Sequence, residues 1–379
     1  MHILYVLKSF PAGSGVDTVT RILGNELVEL GHDVHVCCFL YSKKSVFVNP
    51  KIKIYEFPEQ WDLADSANNS LFLNKIITKN SIDIIINQEA DVASICVLCN
   101  KAREDTKAKL ASCLHFSLFK ELDAKGRILA RLLPKIIVKA KRMRTQLKRR
   151  NFVYDNSDAF VMLSNSVVEE YKKYMPNKDL SKLQSIYNPV NCESLNIDFS
   201  KKSKTLLVVS RIAEEQKRIS MIIEIWKQIS FYKDWNLIIV GDGPDLAKCK
   251  ELAKNLHRID FKGWQEPQSY YLNSPIFLMT SSYEGFSATL IEAQNYGCVP
   301  VVMDSFSSLR DIIESGENGF IVPNNDKKAF IEKIGLLIDN SELREKMGKK
   351  AMDSSKEFDV GKIAQKWETL FAELTGKEF

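Results

Sequence analysis

No stretch of this 379-residue sequence approaches the roughly 18 consecutive apolar residues of a membrane-spanning helix, which argues against a helical span. The paired cysteine spacings of a zinc module or a secreted disulfide scaffold are missing too. Eight cysteines lie scattered at 37, 38, 96, 99, 113, 192, 249 and 298, mostly within apolar runs, a usage that fits a reducing compartment. Only "CVLC", Cys96 to Cys99, has a redox-like spacing. It sits in the apolar run "VASICVLC" with no second pair or nearby histidine, and reads as core. With 16 glycines and 11 prolines the chain is too poor in both to be fibrous or of low complexity, and no short repeat is visible. Lys and Arg exceed Asp and Glu by only 53 to 48, a net charge of +5 too mild to argue for a nucleic-acid partner. The opening "MHILYVLKSFPAGSG" lacks a basic leader and a small-residue cleavage site, and is expected to be the first strand of a mature protein.

What the sequence does have is alternation. Short apolar runs take turns with amphipathic ones, the pattern of parallel strands and crossover helices. "HILYVL" (2–7) reads as a buried strand; Val16, Val19, Ile22, Leu23, Leu27 and Leu30 then recur at helical spacing, Gly31 ends the helix, and "DVHVCCFL" begins the next strand. Further strands are expected at "KIKIYEF", "SIDIIIN", "AKLASCLHF" and "DAFVMLS". After the polar stretch "NIDFSKKSK" (196–204) a second series starts at "TLLVVSRI" and continues through "NLIIVGDG", "IDFKGW", "IFLMTSS", "VPVVMD" and "GFIVP". The fold expected is therefore α/β, two Rossmann-like doubly wound parallel-sheet domains, at 1–192 and 193–359. A last helix within 360–379 is left open to pack on either, including by crossing back to the first. Ligands of such sheets bind beyond the carboxyl ends of the strands, so a cleft between the two domains is the default site.

Four constellations follow predicted strands. "PAGSGVDT" (11–18) is a glycine-bearing loop that opens a helix, suited to an anion or simply a strand-to-helix turn. Gly13 and Gly15 fit part of a dinucleotide fingerprint, but Thr18 stands at the third glycine and no acidic residue closes the second strand, which speaks against nicotinamide. In "SRIAEEQKR" (210–218), Arg211 and Lys217 bracket a loop and can converge on a diphosphate. "VGDGP" (240–244) ends a strand with Gly241, Asp242 and Gly243, which suits close approach of a flat ring or simply a tight turn. In "SSYEGFSATLIEAQNYG" (281–297), Glu284 is placed in a loop, a helix starts near Ser287, and Glu292 projects from its second turn. Both carboxylates can accept from sugar hydroxyls beside a helix N-terminus; spacing alone leaves a solvated pair equally open.

Taken together, "SSYEGFSATLIEAQNYGCVPVV", "LLVVSRIAEEQKR", "LIIVGDGP" and "ESGENGFIVPNND" resemble, in order and separation, the blocks of family-four retaining glycosyltransferases with the GT-B fold, including those of bacterial cell-surface polysaccharides. About 170 residues of the C-terminal half carry the resemblance strongly, the N-terminal half more loosely. It implies an acceptor-side first domain and a donor-binding second one. Arg211 and Lys217 would hold the donor diphosphate with help from Gly15. Glu292 would bind the ribose, with Gly241, Asp242 and Gly243 near the nucleotide. Glu284 and His115 would serve the donor sugar as the catalytic pair, Glu284 orienting it rather than attacking covalently, beside Phe286, Ser287 and Ala288. Ser14 and Asp17 depart from the family's N-terminal loop, which weakens the acceptor-side carry-over. No Asp-x-Asp occurs, so no metal or other cofactor is expected; Arg211, Lys217 and a helix N-terminus would stabilise the leaving group.

From Ala124 to Tyr154 there is no acidic residue, and residues 125–150 carry eleven Lys and Arg interleaved with apolar residues at roughly helical spacing. Pro134 should break or kink the helix. The segment 124–150 reads as an interfacial anchor drawn to anionic lipid, with Lys139, Lys141, Arg142 and Arg144 facing the membrane, or else as a basic helix packed on its domain. Nucleic acid is disfavoured, since no aromatic residues are interleaved for stacking. The expectation is a cytoplasmic glycosyltransferase at the inner face of the cell membrane, moving a sugar from a UDP- or GDP-sugar to a glycan acceptor, lipid-linked or free. A nucleotide-sugar epimerase of the same fold and a non-catalytic lipid-binding scaffold are the alternatives.

Overall fold

The computed structural model describes residues 1–11, 15–42, 46–116 and 135–377, with backbone alone over 135–142. The chain divides into two compact units, Met1–Val190 with Val360–Phe379, and Asn191–Asp359.

In the first unit, the strands are β1 (His2–Phe10), β2 (Asp33–Tyr41), β3 (Lys53–Glu56), β4 (Ile84–Asn87), β5 (Lys109–Leu114), β6 (Ala159–Met162) and β7 (Leu183–Ser185). All pair in parallel, in the order β3-β2-β1-β4-β5-β6-β7. β4 is buried along its whole length, and both faces of the sheet are covered, which is why its strands read as continuous apolar runs. One face packs under the helices Ala67–Lys79 and Ala93–Arg103. On the other lie Gly15–Glu29 and the helix Val360–Thr375, whose Ile363, Trp367, Leu370 and Phe371 join Ile3, Tyr5 and Leu7 in one core. Each such aliphatic or aromatic side chain contributes about 1.5–3 kcal/mol by leaving water. Cys96 and Cys99 are buried in this unit, and burial pushes both thiols up, away from the reactive thiolate.

The second unit has β8 (Thr205–Val209), β9 (Asn236–Val240), β10 (Ile259–Gly263), β11 (Ile276–Met279), β12 (Val299–Asp304) and β13 (Phe320–Pro323), again all parallel, in the order β10-β9-β8-β11-β12-β13. Both sheets thus reverse their strand order once, between β1 and β4 and between β8 and β11. At such a reversal neighbouring loops part to opposite sides of the sheet and leave a crevice beyond its carboxyl edge. The expected pair of Rossmann-like sheets is what the chain forms.

The basic segment falls partly outside the described residues. Its described part is the helix Lys135–Asp155, and Pro134 lies outside the described residues. From residue 143 on, Gln146, Arg150, Val153 and Tyr154 are buried, while Arg144, Lys148 and Arg149 are exposed. That half packs on the first unit, with Val153 and Tyr154 in its core. The side chains of Lys139, Lys141 and Arg142 lie outside the described residues. Among the described residues no helix is long and apolar enough to cross a membrane.

Candidate functional site

At the reversal in the second unit, β8 and β11 are hydrogen-bonded neighbours. Their outgoing loops carry the two halves of one cluster. The β8 loop runs through exposed Arg211 into a single helical turn, Glu214–Lys217, closed by Arg218 in the left-handed conformation (φ 49°). The β11 loop carries Glu284, only 9% exposed. Lys217 Nζ donates to Glu284 Oε1 at 2.5 Å, and Gln216 Nε2 donates to Glu284 Oε2 at 3.1 Å. Several further bonds hold the two loops together. Thr280 Oγ1 donates to the Lys217 and Arg218 carbonyls, Ser282 Oγ to those of Glu215 and Gln216, and the Arg218 guanidinium to those of Thr280 and Ser281. The carboxylate and ammonium are therefore positioned by backbone on both sides, which lowers the entropy lost when they meet a ligand.

The glycines of "VGDGP" have a specific packing role. A Cβ on Gly241 (φ 137°) would stand 1.9 Å from the Ser210 carbonyl oxygen, and one on Gly243 would stand 2.2 Å from that of Ile212. Their bareness admits the β8 loop itself. Ile212 N–H donates to the Asp242 carbonyl, Glu214 N–H to Asp245 Oδ2, and Gly243 N–H to Asp242 Oδ1. Thus the loop of β9 clamps the segment that presents Arg211 and Lys217.

Behind this loop pair, Phe286 and Ser287 are buried and the helix Ala288–Asn295 begins, with Ser287 as its N-cap. Phe286 packs edge-on against Phe358 at 5.6 Å. Glu292 falls in the second turn and accepts from the Tyr271 hydroxyl at 3.0 Å, and burial pushes its carboxyl above the ordinary glutamate value. Tyr271 in turn stacks on Tyr296 at 5.7 Å. Trp264, directly after β10, is 74% exposed at the same carboxyl edge that carries Gly241.

In the first unit the reversal gathers a different set. Gly15 opens the helix Gly15–Glu29 after β1, and among the described residues nothing lies within 4 Å of where a Cβ would be. Ser9 Oγ donates to buried Asp17 at 2.9 Å. After β4, Glu89 accepts from the Lys8 N–H at 3.0 Å, and after β5 His115 Nε2 stands 2.5 Å from Gln88 Oε1. Burial holds the imidazole down at about 4, so it is neutral at pH 7. With Nε2–H donating to Gln88, its buried Nδ1 keeps a lone pair and has no partner among the described residues.

Glu89 is the other perturbed group. Burial, reinforced by Asp91 and Asp17, pushes its carboxyl up to about 7 from an ordinary 4.5. The native state therefore keeps a proton that the unfolded chain loses, and stability falls as pH rises from about 4.5 to 7. Glu89→Gln should flatten that slope in denaturant melts at pH 5 and pH 7. An undiminished slope in the variant would assign it to another group.

Sequence reading foresaw neither Glu89 nor the partners Gln216, Arg218 and Tyr271. Gln216 and Arg218 were in view as neighbours of Lys217, but their contacts span more than sixty residues and leave no local spacing. The structure brings Lys217 to Glu284, and Gly241, Asp242 and Gly243 to the Arg211 loop. Gly15 and His115 belong to the other unit.

Residues 194–354 match the model of glycosyl transferases group 1, and residues 13–194 that of glycosyltransferase family 4. N-acetyl-alpha-D-glucosaminyl L-malate synthase of Bacillus anthracis is 24% identical over 97% of this chain and 96% of its own. The lipopolysaccharide 1,6-galactosyltransferase of Salmonella typhimurium is 33% identical over 35% of this chain and 40% of its own. HepE of Anabaena, solved in complex with UDP, superposes with a TM-score of 0.75 over 98% of this chain and 100% of its own, at 16% identity, a likeness of fold. With two family models meeting end to end on two parallel-sheet units, the chain belongs to the family-four glycosyltransferases of the GT-B fold.

Proposed function

We propose that this glycosyltransferase is retaining and metal-independent, and moves a hexose or related sugar from a UDP- or GDP-sugar to a glycan acceptor, lipid-linked, in cell-surface polysaccharide assembly. The observation that carries the reading is the Lys217–Glu284 pair held at the strand-order reversal of the second unit, with Arg211 exposed on the same loop. In this reading the donor diphosphate takes up the Arg211 and Lys217 cations, and Glu292 accepts from the ribose hydroxyls on Oε1 while Tyr271 holds Oε2. As the bond from the anomeric carbon to the phosphate oxygen breaks, negative charge collects on the diphosphate, where two cations stabilise it. Glu284, its carboxylate held by Gln216, favours the positive charge on the sugar. The acceptor oxygen bonds to the same face, and its proton passes to the departing phosphate. His115 Nδ1 is suited to accept from a sugar hydroxyl.

Thermal stabilisation by UDP-, GDP-, ADP- and dTDP-sugars without added metal tests the donor site. One nucleotide at about a hundred times its Kd should raise the Tm by roughly 5–10 °C, and Glu292→Ala should abolish the rise. No response to any nucleotide would favour a lipid-binding scaffold, and inversion of the donor's stereochemistry without acceptor would mark an epimerase.

For the membrane, the reading is a cytoplasmic enzyme attached peripherally through 124–150, supported by the run of eleven cations and by the exposure of Arg144. Reversing Lys139, Lys141, Arg142 and Arg144 to Glu should weaken co-sedimentation with anionic vesicles about tenfold or more, at about 1 kcal/mol per charge near the surface. Unchanged binding would end this part of the proposal.

A further inference from the structure

Three of the five histidines lie at the amino edge of the first unit's sheet, the end opposite to Gly15, Glu89 and His115. Two of them turn a ring nitrogen to one carboxylate oxygen. His2 Nδ1 stands 3.1 Å, and His35 Nε2 3.0 Å, from Asp33 Oδ2. The three candidate ligand atoms all lie within 4.8 Å of one another, and the trio is the one such group of His, Cys, Asp and Glu among the described residues.

The geometry points to a divalent transition-metal site, suited to Zn²⁺, with His2 Nδ1, His35 Nε2 and an Asp33 oxygen as protein ligands and water completing the coordination. Metal–ligand bonds of about 2.0–2.2 Å in a tetrahedron require ligand atoms about 3.3–3.5 Å apart. Two of the three edges are already near that spacing. Nitrogen and carboxylate ligands together suit zinc, while hard cations prefer all-oxygen sets. The surroundings supply the support that a ligating imidazole needs. His35 is fully buried, its ring stacks on Tyr55 at 6.0 Å, and its Nδ1 is 3.4 Å from the Tyr55 hydroxyl. A hydroxyl can accept from Nδ1–H once Nε2 binds metal, fixing the tautomer as an outer partner does. His2, with its side chain 45% exposed, leaves a path from solvent.

One feature opposes binding and makes the site testable. Lys53 Nζ lies 3.0 Å and 3.1 Å from the two Asp33 oxygens, so an ammonium already neutralises the carboxylate. Its side chain is 51% exposed and can swing into solvent, but a cation must compete with it. The inferred site is independent of the donor chemistry proposed above, and it would cross-link β1 to β2 at the start of both strands.

The test is titration of the full-length protein with ZnCl₂ against a chromophoric chelator, with Co²⁺ absorption as a second readout. Wild type should take up one equivalent. His2→Gln, at a half-exposed position where the core is not disturbed, and Asp33→Asn should each weaken uptake roughly tenfold or more, and Lys53→Met should strengthen it by a similar factor. Tetrahedral Co²⁺ bands without thiolate charge transfer should appear in wild type and vanish in His2→Gln. The inference is overturned if neither wild type nor Lys53→Met shows saturable uptake, or if uptake survives His2→Gln unchanged, which would place the metal on cysteines.

Discussion

Lys217→Met should lower sugar transfer about a hundredfold to a thousandfold, the loss expected when one preorganised charge is removed from a developing anion. The same substitution should also destabilise the protein by about 2–4 kcal/mol, because among the described residues it leaves Glu284 with Gln216 alone as side-chain partner. That cost stays below the extreme for a fully buried pair, since the two side chains retain 15% and 10% exposure. The double variant Lys217→Met/Glu284→Gln removes both charges and should regain stability to within about 1 kcal/mol of wild type while transfer stays impaired. Chemical denaturation and single-turnover transfer, measured side by side, separate the two effects. If Lys217→Met lost stability but kept its turnover, the lysine would be a counter-ion for Glu284 and nothing more.

Gly241→Ala should be the most disruptive one-atom change in the second unit, destabilising it by about 3 kcal/mol or more. Two costs add. A β-carbon at φ 137° meets a backbone conformation that side-chain-bearing residues rarely adopt, and it would overlap the Ser210 carbonyl oxygen at 1.9 Å. The overlapping atom is backbone and cannot rotate aside. Relief requires the β8 loop to retreat, which carries Arg211 and Lys217 away from Glu284. Nucleotide-induced stabilisation should accordingly vanish even where the variant remains folded. For stability alone, Gly15→Ala in the first unit is the comparison, because a β-carbon there meets nothing within 4 Å among the described residues. Retained stability in Gly241→Ala would mean that the β8 loop yields without cost.

The strands were legible because a sheet covered on both faces writes apolar runs that a single sequence displays directly, as in "TLLVVSRI" and "IFLMTSS". β7 escaped notice: "LQS" is three half-buried residues at a sheet edge, with neither a run nor an alternation to mark it. Glu284 in a loop and Glu292 two turns into a helix could be placed from local pattern, and the helix does start at Ala288. The pairing of Lys217 with Glu284 could not, since it depends on β8 lying beside β11, a matter of strand order that no local spacing records. "VGDGP" by itself suits a flat ring or a turn; its glycines also make room for the chain's own backbone, a reason visible only once Ser210 and Ile212 are in place. Glu89 was silent for a similar cause. Its raised pKa arises from burial, reinforced by Asp91 and by Asp17 at the start of the helix after β1.

The return of Val360–Thr375 to the first unit has a temporal consequence. Val190 and Val360 belong to the same body, so 169 residues of the second unit are synthesised in between. At about 5–20 residues per second, a ribosome spends roughly ten to thirty seconds on that stretch. Throughout it the surface awaiting Trp367 and Phe371, formed by Tyr5, Leu23 and Leu27, stays uncovered. The second unit has no such debt, because its strands and helices are contiguous in the chain. It can complete its core first, and the half that begins earlier at the ribosome finishes last.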